Sequence, residues 1–234
     1  HMGFGKSETP QDRLYTLETH VGNLVNFIED LDLSDITIVC QDWGGPIAGA
    51  FSIRHPDRVK RFVLMNTLLG MGGVNVNTER SEWFNWIAKH QEAGTLNGIL
   101  GELSSTILSV MKIIGFENSS RVNKDWLNAY SAPFPDRASC IGAIEFPLDV
   151  HLNRFREFIM KGMATGNLEA VKTKPAMLAC GLKDRAIHPE NAIADFKALF
   201  PKGPINTFPE ASHFCQEDIP EILVPLIHQF IQMS

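Results

Sequence analysis

No run of residues in this chain is long and apolar enough to span a bilayer, which sets aside a helical membrane protein. Basic charge is scarce as well: over 234 residues the net charge is −6, and the isoelectric point is near 5.7. That balance argues against nucleic acid or an anionic membrane surface as a partner. Cysteine is confined to Cys40, Cys140, Cys180 and Cys215, with no paired spacing. Neither a disulfide framework nor a cysteine zinc site is therefore expected. The four read as reduced core thiols of an intracellular, cytoplasmic protein, and no metal or cofactor is expected. Tyrosine is rarer still, with Tyr15 and Tyr130 alone. Low-complexity tracts and internal repeats are absent. The hydrophobic share, 44%, suffices for a sizeable core.

Against this background one segment stands out, Asp35-Ile-Thr-Ile-Val-Cys-Gln-Asp-Trp-Gly-Gly-Pro-Ile-Ala-Gly-Ala50. Ile36 to Val39 is a β-branched run typical of a buried strand. Asp42, Trp43 and the Gly44-Gly45 pair follow, and then a helical apolar pattern. Strand, abrupt turn and helix are the setting of a nucleophile elbow, which holds one side chain at the tip of a strained turn. The residue at that tip is Asp42. A carboxylate suits displacement of a leaving group from saturated carbon, forming an ester on the protein. The indole of Trp43 donates and cannot accept, which suits a departing anion. An ordinary Asp-x-Gly-Gly turn in a βα loop is the plainer alternative.

Two downstream segments complete a pattern. Lys174 to Gly181 reads as a second buried strand with Asp184 just past its carboxyl end. Ile205 to Pro209 reads as a short strand, with His213 and Phe214 on the loop that follows. Asp184 alone also fits a helix cap, since Pro189-Glu190 opens an apolar-periodic run. The order nucleophile, acid, histidine, each at a strand end, is that of the α/β-hydrolase fold, whose sites lie at carboxyl ends of strands. His20, His55 and His228 have no comparable setting.

Gln41-Asp42-Trp43-Gly44-Gly45 resembles the haloalkane dehalogenases of that superfamily. Ala129-Tyr-Ser-Ala-Pro-Phe-Pro135 is similar to part of their cap, and Gly3-Phe-Gly-Lys-Ser7 to the loop after their fourth strand. The resemblance implies an α/β fold with a mostly parallel sheet and an inserted helical cap. Residues 1–69 would be the first part of the core, 70–171 the cap and 172–234 the second part of the core. Pattern agrees in the middle segment, which is helical at Glu82–His90, Leu96–Met111, Arg121–Tyr130, Ala138–Ile144 and Val150–Met163. A complete member would carry roughly seventy further residues ahead of Gly3, supplying four strands. Without them the elbow strand is expected to form a sheet edge, an invitation to pairing. Either a companion segment or an oligomer is expected to cover it.

The resemblance also implies the chemistry. Asp42 would attack the halogen-bearing carbon of a small haloalkane, the Trp43 indole would hold the departing halide, and water would cleave the ester. His213 would act as general base, oriented by Asp184, and the Trp43 backbone N–H would serve the oxyanion. Trp126 is the nearest cap candidate for a second halide donor, and Phe134 and Phe214 are candidates for the substrate pocket. Epoxide hydrolases share the plan but generally need two cap tyrosines. Fluoroacetate-type dehalogenases place arginine after the nucleophile, where this chain has Trp43. A non-catalytic fragment that keeps the triad is the alternative from another class.

Overall fold

Four parallel strands carry the molecule's central sheet, in the spatial order β1-β2-β3-β4. The computed structural model covers residues 1–234. Its strands are β1 (Ile36–Gln41), β2 (Val59–Met65), β3 (Ala176–Gly181) and β4 (Ile205–Phe208). Parallel neighbours require crossover connections, usually helical, and helices fill each gap: α1 (Leu17–Asp30) precedes β1, and α2 (Gly44–Ser52) joins β1 to β2. After β2 come α3 (Glu82–Glu92), α4 (Leu96–Leu100), α5 (Leu103–Ile114), α6 (Lys124–Ser131), α7 (Ile141–His151), α8 (Arg156–Thr165) and α9 (Leu168–Lys172). Then α10 (Pro189–Leu199) joins β3 to β4, and α11 (Cys215–Asp218) and α12 (Pro220–Met233) end the chain. None is long and apolar enough to cross a membrane.

The two inner strands are the most apolar, as strands covered on both faces must be. Every residue of β3 is buried, and in β2 only Lys60 is fully exposed. Phe62, Leu64, Leu178 and Cys180 meet Phe51, Phe196 and Phe200 from the flanking segments in the main core. Between β2 and β3 there is no strand, and the helices there build a separate cluster around Trp83, Ile87, Leu103, Val110 and Phe134. All four cysteines are buried and unpaired. Burial alone pushes the Cys40 thiol up to about 12.

β1 lies at the sheet edge and pairs only with β2, and Val39 on it is 48% exposed. Register aligns the carboxyl ends: Gln41 faces Met65, Met65 faces Ala179, and Gly181 faces Phe208. The loops that leave these four positions are brought to one end of the sheet.

Three helical stretches depart from the pattern. The one expected over Val150–Met163 is divided between α7, which ends at His151, and α8, which starts at Arg156, with Asn153 at φ 55° between them. The apolar period predicts one helix over Leu96–Met111, but the chain breaks at Gly101, where glycine costs about 1 kcal/mol in a helix interior. A gap is expected around Pro147, yet α7 runs through it. Burial of Leu148 and Asp149 accompanies that continuity. Asp149 accepts the Leu17 N–H at 3.0 Å and pairs with Arg154 Nε at 3.2 Å, tying α7 to α1.

At the start of α2 the backbone crosses close under the loop after β2. A Cβ placed on Gly45 would overlap Thr67 Oγ1 and the Leu68 carbonyl. Gly45→Ala is therefore expected to lower stability by roughly 1–3 kcal/mol, the usual cost of overpacking, read from the urea unfolding midpoint.

Candidate active site

Asp42 follows β1 directly, at φ 50°, a left-handed conformation that costs a non-glycine residue about 1–2 kcal/mol. Two hydrogen bonds hold the turn. Thr67 Oγ1 donates to the Asp42 carbonyl at 2.5 Å, and the Gly45 N–H donates to the same carbonyl at 3.1 Å. A Cβ on Gly44 would crowd the Cys40 side chain. Trp43 is the cap residue of α2, and its backbone N–H has no partner in the protein. Its indole stacks on Phe146 of α7, with centroids 4.6 Å apart and planes 12° from parallel.

His213 lies on the loop after β4 and is fully buried. Its Nδ1 is 3.1 and 3.0 Å from the two carboxylate oxygens of Asp184, and its Nε2 is 3.3 Å from Asp42 Oδ1. The two carboxylates differ sharply in setting: the Asp184 side chain is 1% exposed and that of Asp42 is 42% exposed. Asp184 also accepts the backbone N–H groups of Ala186 (2.8 Å) and Ile187 (3.0 Å) and the Asn66 amide (2.9 Å). Asn66 itself takes a left-handed conformation, φ 40°, and exchanges hydrogen bonds with both backbone groups of Gly181. Gln41 donates to the His213 carbonyl at 3.1 Å.

Burial works against a charged imidazole. The carboxylates of Asp184 and Asp42 outweigh it and hold His213 up to about 10. His20, by contrast, is buried against Phe146 with neither ring nitrogen hydrogen-bonded, and burial above all pulls it down to about 4.

Asp42 and Trp43 open onto a cleft of about 720 Å³. Leu17, Pro46, Leu68, Val150, Phe155 and Ile159 give it apolar walls, while Asn75, Arg80, His151 and Asn153 bring polar groups to it. One wall is the loop over residues 70–81, latched to α10. Asn191 accepts the N–H groups of Val76 (2.9 Å) and Asn77 (2.8 Å), and Asn77 donates to Glu190 at 2.8 Å. Buried Asp195 fastens the root of the loop through the N–H groups of Leu69 (3.1 Å) and Gly72 (2.7 Å).

The structure brings Asp42, Trp43, Asp184 and His213 together. It takes Trp126 elsewhere: the indole N–H donates to Glu217 at 2.9 Å, and the ring stacks on Phe116 and lies tilted against Tyr130. That donor is engaged away from Asp42, and Trp126 does not line the cleft, contrary to its expected place beside the halide. Phe134 packs inside the helical cluster against Phe4 and does not line the cleft. Phe214 stands edge-on to the His213 ring, 5.1 Å between centroids, and does not line the cleft. The polar supports Gln41, Asn66 and Thr67 escape sequence reading. The only signal for Asn66-Thr67 is its place just past an apolar strand.

The alpha/beta hydrolase fold family matches residues 1–220. A haloalkane dehalogenase 2 of Mycobacterium tuberculosis is 29% identical over 98% of this chain and 76% of its own length. A cis-3-alkyl-4-alkyloxetan-2-one decarboxylase of Shewanella oneidensis is 25% identical over 99% of this chain and 71% of its own. Among solved structures, the tetrameric haloalkane dehalogenase DpaA of Paraglaciecola agarilytica is 30% identical with a TM-score of 0.72, covering 94% of this chain and 69% of that one.

Because the folded His213 value lies above the ordinary 6.5, its ion pairs add stability that is fully present below about pH 6.5 and fades as pH rises toward 10. The wild type is expected to lose more stability between pH 7 and pH 10 than His213→Gln does, measured by urea unfolding at both values.

Proposed function

The chain belongs to the alpha/beta hydrolase fold family, and from that premise we propose that it is a hydrolase that removes halide from haloalkanes through an alkyl ester on Asp42. One observation carries the reading: a carboxylate in a strained turn faces an apolar-walled cleft, 3.3 Å from His213 Nε2, with the Trp43 indole beside it. Sequence likeness to haloalkane dehalogenases supports the substrate class. The helical stretch 70–171 would act as the cap that roofs the cleft.

In the first step an Asp42 oxygen attacks the halogen-bearing carbon, and the carbon–halogen bond breaks with its electron pair leaving on the halide. The Trp43 indole N–H would stabilise that anion. Esterification makes Asp42 neutral, so one of the two anions holding the His213 proton disappears. The imidazolium can then give that proton to solvent, and the neutral ring takes one from water, which attacks the ester carbonyl carbon. The unpartnered Trp43 backbone N–H is a donor for the resulting oxyanion. The tetrahedral adduct collapses by breaking its bond to the alkoxy oxygen, which leaves as the alcohol with the proton from His213. Asp184, saturated by three N–H donors besides His213, keeps the ring in orientation. The turnover consumes one water and releases an alcohol, a halide and a proton.

Epoxide hydrolysis would need hydroxyl donors over the cleft. The Tyr15 hydroxyl donates to the Pro10 carbonyl at 3.0 Å and that of Tyr130 to Glu217 at 2.5 Å, and neither lines the cleft. A second reading, β-lactone opening, is favoured by the size of the cleft, about 720 Å³, and by the oxetanone decarboxylase relative. Asp42 attack at the alkoxy carbon of an oxetan-2-one would expel a carboxylate in place of a halide.

Halide release from 1,2-dibromoethane and 1-bromobutane tests the first reading, with a cis-dialkyl oxetan-2-one run in parallel. Asp42→Asn should release no bromide. His213→Gln should release about one bromide per chain and then stop, leaving the alkyl ester visible as added mass on the Asp42 peptide. Trp43→Phe keeps the ring and loses the donor, so it should slow the first step. Steady bromide turnover by the His213 variant would sink the assignment, and a folded chain inert in both assays would favour a non-catalytic protein.

A further inference from the structure

Asp218, at the end of α11, is almost wholly buried, 3% exposed, and no cation pairs with it. Its carboxylate is spent on three backbone donors from two parts of the chain. Oδ2 accepts the Ser212 N–H at 2.8 Å, on the residue immediately before His213. Oδ1 accepts the N–H groups of Glu117 (2.9 Å) and Asn118 (2.8 Å), in the turn between α5 and α6 of the helical insertion. The Asn118 amide closes the link by donating to the Asp218 carbonyl at 3.1 Å.

Further bonds join the same places. The Phe214 N–H, on the other side of His213, donates to the Gly115 carbonyl at 3.0 Å. Gly115 sits at φ 138°, and a Cβ there would overlap Ser212 Oγ. Arg185, next to Asp184, donates to the carbonyls of Lys112 (2.7 Å) and Ile113 (3.3 Å) and pairs with Glu117 at 2.7 Å. The end of α5 and the turn after it are thereby fastened to the acid loop and the histidine loop together.

We propose that Asp218 is a positioning residue that locks His213 to the α5–α6 turn, so that the placement of the helical insertion sets the aim of the imidazole. It touches neither substrate nor reacting atoms and acts through the Ser212 backbone. Its expected effect on turnover rests on the ester mechanism above. That mechanism asks His213 for nothing in the first displacement and for accurate placement against water in the second step. Loss of the lock should therefore slow ester hydrolysis alone. A misplacement on the ångström scale costs on the order of 10²-fold in rate.

Asp218→Asn is the discriminating variant. An amide presents one acceptor oxygen, so it can serve Ser212 or the Glu117–Asn118 pair but not both. The expected kinetics are a kcat lower by about 10²-fold, an unchanged kcat/KM, and a bromide burst near one per chain. The same variant should broaden or remove the far-downfield proton resonance of His213 Nδ1–H in the substrate-free protein. Asn118→Ala, which removes one bond of the same lock together with two local bonds to Ser120, should show both changes more weakly, and it decides the matter if the Asp218 variant does not fold. An unaltered resonance with wild-type kcat, or an equal loss in kcat and kcat/KM, would overturn the proposal. If the wild type itself released no bromide, the dehalogenation reading would fall, and the resonance would still judge the lock.

Discussion

An imidazole taken out of water resists carrying charge, and His213 carries it because a carboxylate stands at each ring nitrogen. Around this arrangement the other features of the site fall into order. Asp184 alone would be a costly buried charge beside a neutral ring, and the ring alone would be neutral, as His20 is. The three are stable as a set. The chemistry proposed here is one way of using that interdependence, because neutralising Asp42 unbalances the set and frees the base.

The two carboxylates share one chemistry and are divided by surroundings alone. Asp184 has every oxygen engaged and no view of the cleft, which leaves it to orient and to hold charge. Asp42 has a single protein partner for its carboxylate and faces open space. Backbone geometry creates the difference. Parallel register brings the ends of four strands level, and the left-handed turn at Asp42 lifts one side chain clear while the loop after β3 folds Asp184 inward onto its own amides.

Much of this was legible in the chain. Continuous apolar runs flanked by turn residues identify β1 and β3, and the ends of those runs locate Asp42 and Asp184. His213 follows from the same logic. What resisted reading was pairing across long separations. Asn66 looks like any polar residue past a strand until Asp184, 118 positions later, is placed beside it. Trp126 offered an indole in a cap-like segment, but its N–H is claimed by Glu217 at a separation of 91 residues. Phe134 and Phe214 are large apolar groups in suitable neighbourhoods, and whether such a ring faces a cleft or a core depends on helix rotation that periodicity does not specify. Pro147 misled for another reason: tertiary packing carried α7 through a residue that local preference would have made an end.

The wall of the cleft over residues 70–81 is attached in a different manner from its floor. The floor is sheet and buried carboxylates, whereas the wall, rooted on Asp195, is held along its length by hydrogen bonds among Asn191, Asn77 and Glu190, with exposed Val74 and Val76 between them. Substitutions in that wall leave the strand ends undisturbed. Descendants of this chain can therefore drift in what they admit without relearning how to react, and the separation of admission from reaction is a property of how the parts are bolted together.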